Sequence, residues 1–157
     1  MLPALLFVPG HWYADSKSKS DFQVFCASMA LRGFIVLSYD PFGQGERGIS
    51  LRDHRRTELL VGGVAQQAIV DFETLCALEL LLAHPGVDPA RVGMTGASGG
   101  GFNSWIVPAL DGRVAATAPV VGTSEFVEQI DAVLERDWYD AKEHCHFIPG
   151  LLRYANN

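Results

Sequence analysis

Residues 92–101 read Val-Gly-Met-Thr-Gly-Ala-Ser-Gly-Gly-Gly, and this stretch, Val92 to Gly101, decides the fold. Val92 to Thr95 has the make-up of a short buried strand. It passes without a linker into Gly96, Ala97, Ser98, Gly99 and Gly100, after which Phe102, Trp105, Ile106 and Leu110 recur at helical spacing. Residues 96–100 match GxSxG and fall between strand and helix, where a turn must be sharp enough to project a serine hydroxyl. Only small residues two before and two after the serine let strand and helix approach that closely, and both positions, Gly96 and Gly100, are glycine. Ser98 is therefore the candidate nucleophile, at the amino end of a helix whose N–H groups and dipole favour a developing anion.

Two other readings compete for the same residues. A serine at a helix start is often an ordinary cap. Thr95, Gly96 and Gly100 also spell the TGxxxG opening of a nicotinamide-binding reductase fingerprint. Against that, its last glycine is replaced by Phe102, it follows the third strand instead of the first, and Tyr139 has Glu143 four residues on, with Lys142 one short.

Outward from this centre, Leu5 to Val8 is a continuous apolar run ended by Pro9 and Gly10, the pattern of a strand covered on both faces. Ser20 and Gln23 have capping-box spacing, and Phe22, Phe25, Cys26, Met29 and Ala30 predict a helix over 21–32, closed by Gly33. Phe34 to Leu37 with Tyr39 predicts a second buried strand running into Asp40, Pro41, Phe42 and Gly43. Residues 43–48 spell GxGxxG, but three residues separate them from the strand and Ile49 to Arg55 opens no convincing helix, so they read as a turn. Ile69, Phe72, Cys76 and Leu80 predict the apolar face of a helix over 64–83, stopped by His84, Pro85 and Gly86. Val114 to Val121 predicts a fourth strand. Strands separated by long helices imply an α/β fold: a mostly parallel sheet with helices on both faces.

The chain has 157 residues, 48% apolar and 19% charged, enough to bury a core as one domain. Twelve Lys and Arg against 18 Asp and Glu give a net charge of −6, with no charge block longer than Arg52 to Arg56, which argues against nucleic-acid or anionic-membrane partners. Leu2 to Val8 lacks a basic leader and a cleavage site, and no apolar run reaches the ~20 residues needed to span a bilayer. Cys26, Cys76 and Cys145 fit neither a disulfide scaffold nor a zinc cage. His144, Cys145 and His146 have no second ligand pair, so no metal and no other cofactor is expected, and the compartment stays open.

Pro9 to Trp12, Asp40 to Gly45, Arg91 to Gly101 and then Leu110, Asp111, Gly112, Arg113 and Val114 together resemble the α/β-hydrolase superfamily, and within it most the acetyl xylan esterase and dienelactone hydrolase group. The resemblance covers residues 3–121, with Pro9-Gly10 standing where members of the group commonly have His-Gly. It implies an oxyanion hole of the Gly99 and His11 backbone N–H groups, and Trp12 lining the acyl pocket. For the His11 side chain a solvent-facing or locally bonded role competes with catalysis, and for Trp12 simple packing does.

The resemblance also implies a triad of serine, acid and histidine in that order, the last two carried by later strands. After residue 121 only a helix through Phe126, Ile130 and Leu134 is expected, and Asp131, Asp137, Asp140, His144 and His146 have no strands to carry them to Ser98. The expectation is therefore the middle of a hydrolase domain, core 3–121 with an extension over 122–157, whose acid and histidine lie beyond the chain. The leading reading is a serine esterase removing small acyl groups from a small-molecule or carbohydrate ester. The others are a hydrolase-like binding or interaction domain and, more weakly, a nicotinamide-dependent reductase.

Overall fold

The first strand, β1, runs over Leu2–Val8 and begins three residues earlier than the apolar run suggests. Pro3 falls where the pairing register of β1 shifts, between Leu2 and Ala4, and so a residue with no N–H to donate is accommodated inside the strand. This is a computed structural model, and it describes residues 1–12, 14–48, 59 and 61–122. The segment from Ile49 to Arg55, the helix expected through Phe126 and Leu134, and Asp131, Asp137, Asp140, His144, Cys145 and His146 lie outside the described residues.

The elements follow as α1 (Ser20–Leu31), β2 (Ile35–Ser38), α2 (Gln66–Leu82), β3 (Val87–Ala97), α3 (Gly99–Leu110) and β4 (Ala116–Val120). The sheet is all parallel in the order β2-β1-β3-β4, so the first strand of the sequence lies inside it. Side chains of β1 alternate between the faces. Ala4, Leu6 and Val8 pack with Leu78 and Leu81 of α2 and Val107 of α3. On the other face Phe7 meets Phe22 and Phe25 of α1, each with ring centroids 5.1 Å apart. Each fully buried leucine here contributes roughly 2 kcal/mol through the apolar area it removes from water.

Several expectations need correction. Ser20 is the first residue of α1 and makes no cap; the capping position is Lys19, and the Gln23 side chain donates to the Lys17 carbonyl at 2.6 Å. The inward face of α2 is Gln66, Val70, Thr74, Ala77, Leu78 and Leu81, whereas Phe72, Cys76 and Leu80 are exposed. That helix is apolar nearly all round, so periodicity alone cannot choose a face. The strand β2 lies at one end of the order and is half-buried, and every residue of β4, at the other end, is exposed.

Candidate active site

Parallel strands bring their carboxyl ends to one edge, and β1 and β3 reach it together, with Val8 paired to Gly96. Two residues later Ser98 has φ 55° and ψ −118°, a conformation that L side chains rarely adopt. Its backbone is pinned on both sides: its N–H donates to the Val120 carbonyl at 2.9 Å, and its own carbonyl accepts the Phe102 N–H at 2.9 Å. The partly exposed side chain makes no capping bond to α3, so the ordinary-cap reading does not describe it. The flanking glycines are required by contact. A Cβ on Gly100 would collide with the Val8 carbonyl oxygen, and one on Gly96 with that same oxygen and, at 2.6 Å, with the Gly100 carbonyl.

The loop after β1 folds onto this turn. A Cβ built on Gly10 would lie 3.1 Å from the Ser98 Cβ and 2.6 Å from the Trp12 ring, and one built on Gly99 would lie 2.5 Å from the His11 imidazole. Gly10, His11, Trp12, Ser98 and Gly99 are thus gathered at one edge of the sheet. Trp12 is 37% exposed; its ring packs edge-on against Phe22 with centroids 5.1 Å apart and has the Lys19 Nζ 5.4 Å from its centroid. The Trp12 N–H is engaged, donating to Gly10 O at 2.9 Å and to Gln44 Oε1 at 3.1 Å.

Sequence reading missed the residues that hold this loop. Asp40, 4% exposed, accepts from the Lys17 N–H at 3.0 Å, the Lys17 Nζ at 2.5 Å and the Glu46 N–H at 3.1 Å. Burial works against its charge, but these donors outweigh burial and hold the carboxyl below its usual range. Gln44, 2% exposed, lies in the GxGxxG stretch, which forms a short turn around Gly45–Arg47. Arg47 in turn pairs with Glu73 of α2 at 2.5 Å. The available signal was an Asp and a Gln within a loop too glycine-rich to be surface coil.

Behind the turn, a polar chain crosses from α3 through α2 to the residue after β2: Asn103 Nδ2 donates to Thr74 Oγ1 at 2.8 Å, which contacts the Tyr39 hydroxyl at 2.5 Å. Gln67 donates to Asp71 at 2.8 Å and to Asn103 at 3.1 Å. Burial raises the Asp71 carboxyl and keeps Tyr39 neutral. Among the described residues, no three His, Cys, Asp or Glu side chains are placed to hold a metal, and no helix is long and apolar enough to cross a membrane.

A hydroxyl on a strained turn beside a helix end can serve acyl transfer, and known proteins share the fold that carries it here. "Putative hydrolase YtaP" of Bacillus subtilis is 24% identical over 163 residues, 97% of this chain and 52% of its own length. The structure of methylesterase BT1017 superposes with a TM-score of 0.66 at 28% identity, over 78% of this chain and 27% of that one. Acetyl xylan esterase from Paenibacillus sp. R4 gives 0.67 at 21% identity, over 90% and 46%. The chain thus spans about half the length of the curated relative it matches. The model of the prolyl oligopeptidase family matches residues 20–145, most of the sequence, and it is to that family of α/β-hydrolases that the chain belongs.

Proposed function

We propose that this chain carries the nucleophile of a serine hydrolase that cleaves small acyl esters. The observation that supports it most is the strained backbone of Ser98, at φ 55° and ψ −118°, with a hydroxyl that makes no bond to its own helix. Strain of this kind costs about 1–3 kcal/mol and persists only where the surroundings enforce it. The same turn brings the Ser98 Cβ beside the loop of Gly10, and Gly99 beside the His11 ring, which supports a site at this edge.

In the proposed reaction the Ser98 Oγ attacks the ester carbonyl carbon as its proton passes to a base. The carbonyl oxygen becomes an anion held by the N–H groups of Gly99 and His11. Collapse expels the alcohol, which takes up the proton, and leaves an acyl group on Ser98; water then releases the acid by the reverse path. Trp12 flanks the acyl side. The histidine and acid that move the proton are assigned to sequence beyond Gly122, and no cofactor is invoked. The methylesterase and acetyl xylan esterase relatives support an ester with a small acyl or alcohol part, of small-molecule or carbohydrate origin.

The test is p-nitrophenyl acetate hydrolysis by this chain and by a version extended through its natural downstream sequence, each with and without Ser98→Ala. Where no base reaches Ser98, an oxyanion hole and binding alone leave only a ~10³ to 10⁴-fold advantage over water. A version that holds the histidine and acid should be faster by a further factor of at least ~10² and lose that gain on Ser98→Ala. Activity unaffected by Ser98→Ala would refute the assignment. An extended chain without turnover would favour a hydrolase-like binding module.

A further inference from the structure

We propose that Gln44 is a positioning residue for the acyl-transfer site, acting through the Trp12 N–H to aim the N–H of His11 at the oxyanion; this rests on the reading of Ser98 as nucleophile. Gln44 touches no reacting atom. It is nearly fully buried, at 2% exposure, and its Oε1 reaches across to the loop after β1 to accept the Trp12 N–H at 3.1 Å.

The geometry follows from peptide planarity. The Trp12 N–H also donates to the Gly10 carbonyl at 2.9 Å, closing a three-residue turn with His11 at its apex. Gly10 C=O and His11 N–H belong to one trans peptide and point in opposite directions. With the carbonyl turned in toward Trp12, the His11 N–H is turned out of the turn. The plane of that peptide is set by where the Trp12 N–H is held, and Gln44 holds it. The Trp12 carbonyl is fixed as well, by the Ser16 N–H at 2.7 Å.

Gln44 is itself anchored. Its N–H donates to the Pro41 carbonyl and its carbonyl accepts from the Arg47 N–H, each at 3.0 Å. Asp40 closes the frame by taking the Lys17 and Glu46 N–H groups at 3.0 and 3.1 Å, tying the two loops together. A side-chain carbonyl on a braced loop therefore dictates the orientation of a backbone donor on the other. An oxyanion donor rotated by tens of degrees loses most of its bond to the transition state, while ground-state contacts barely change.

Phenylboronic acid is the probe. The Ser98 Oγ lone pair forms a bond to trigonal boron, which becomes a tetrahedral anion; no bond to boron breaks, and the serine proton goes to solvent. The adduct mimics the oxyanion and needs no downstream base to form. Binding is followed by ¹H–¹⁵N correlation spectra on the 157-residue chain. In the wild type the Gly99 and His11 amide signals should both move on saturation. In Gln44→Leu the dissociation constant should rise at least about tenfold, with the His11 shift lost and that of Gly99 retained, whereas general loosening would abolish both. Gln44→Asn, which withdraws the acceptor by one methylene, is judged by the same criteria if the leucine variant does not fold. Affinity within twofold of wild type, or an unchanged His11 shift, overturns the role of Gln44 while Ser98→Ala still abolishes binding. If Ser98→Ala binds like wild type, the reading of Ser98 falls as well.

Discussion

Ser98 has a backbone conformation that a glycine would adopt without penalty, because φ 55° with ψ −118° mirrors the ordinary extended region. Ser98→Gly should therefore raise thermal stability, by about 1 kcal/mol, once the strain is offset against the freer unfolded glycine. Ester hydrolysis attributable to Ser98 should vanish in the same variant. Differential scanning calorimetry beside the acetate assay checks both. A lower melting temperature would mean that Ser98 is not strained. Stability and activity pulling apart at one position is the behaviour expected of a functional site.

At the scale of elements, the site depends on how closely the end of β1 passes beneath the start of α3. Gly100→Ala places a methyl group against the Val8 carbonyl, a rigid backbone atom in a doubly paired strand, so relaxation must move either the strand or the helix. The expected cost is about 3 kcal/mol or more, read as a fall in denaturation midpoint. This contact was legible in the sequence, since GxSxG between a strand and a helix admits few other arrangements. The inward face of α2 was not legible. Phe72 and Leu80 satisfy helical spacing as well as Val70 and Leu81 do, and only the position of the sheet decides between them. The roles of Asp40 and Gln44 were hidden for a related reason: a loop's glycines announce a turn, whereas its hydrogen-bond partners come from another loop more than 20 residues away.

For the whole molecule, charge sets a pH dependence. Asp40 is held below its usual value by Lys17 and backbone donors that outweigh burial. Arg113 holds Asp111 down at about 2 and also lowers Glu79, and Arg91 lowers Asp88. A carboxyl with a depressed folded value contributes stability that is complete above its unfolded value, about 4, and is lost as pH falls through the folded one. Asp71, raised by burial, has the opposite sign: its contribution is lost as pH rises through its elevated value. Among the described carboxyls, four depressed groups against one raised one predict a melting temperature that falls between about pH 4 and pH 2, with the buried Asp40 the main contributor. Asp40→Asn should cost about 2–3 kcal/mol at pH 7 by leaving Lys17 with its exposed partner Glu46 alone, and its deficit against wild type should shrink toward pH 2. Melting curves across that range check the sign; a deficit constant with pH would contradict it.

The parallel direction of the four described strands has a practical consequence for attachment. Every strand starts at one edge and finishes at the other, so Met1, 79% exposed, lies at the edge opposite Ser98. The seven residues of β1 at about 3.3 Å each put roughly 23 Å between the two edges. An affinity handle or a solid support joined ahead of Leu2 would therefore leave from the far side, and an immobilised molecule would turn its Ser98 edge outward to the solution flowing past.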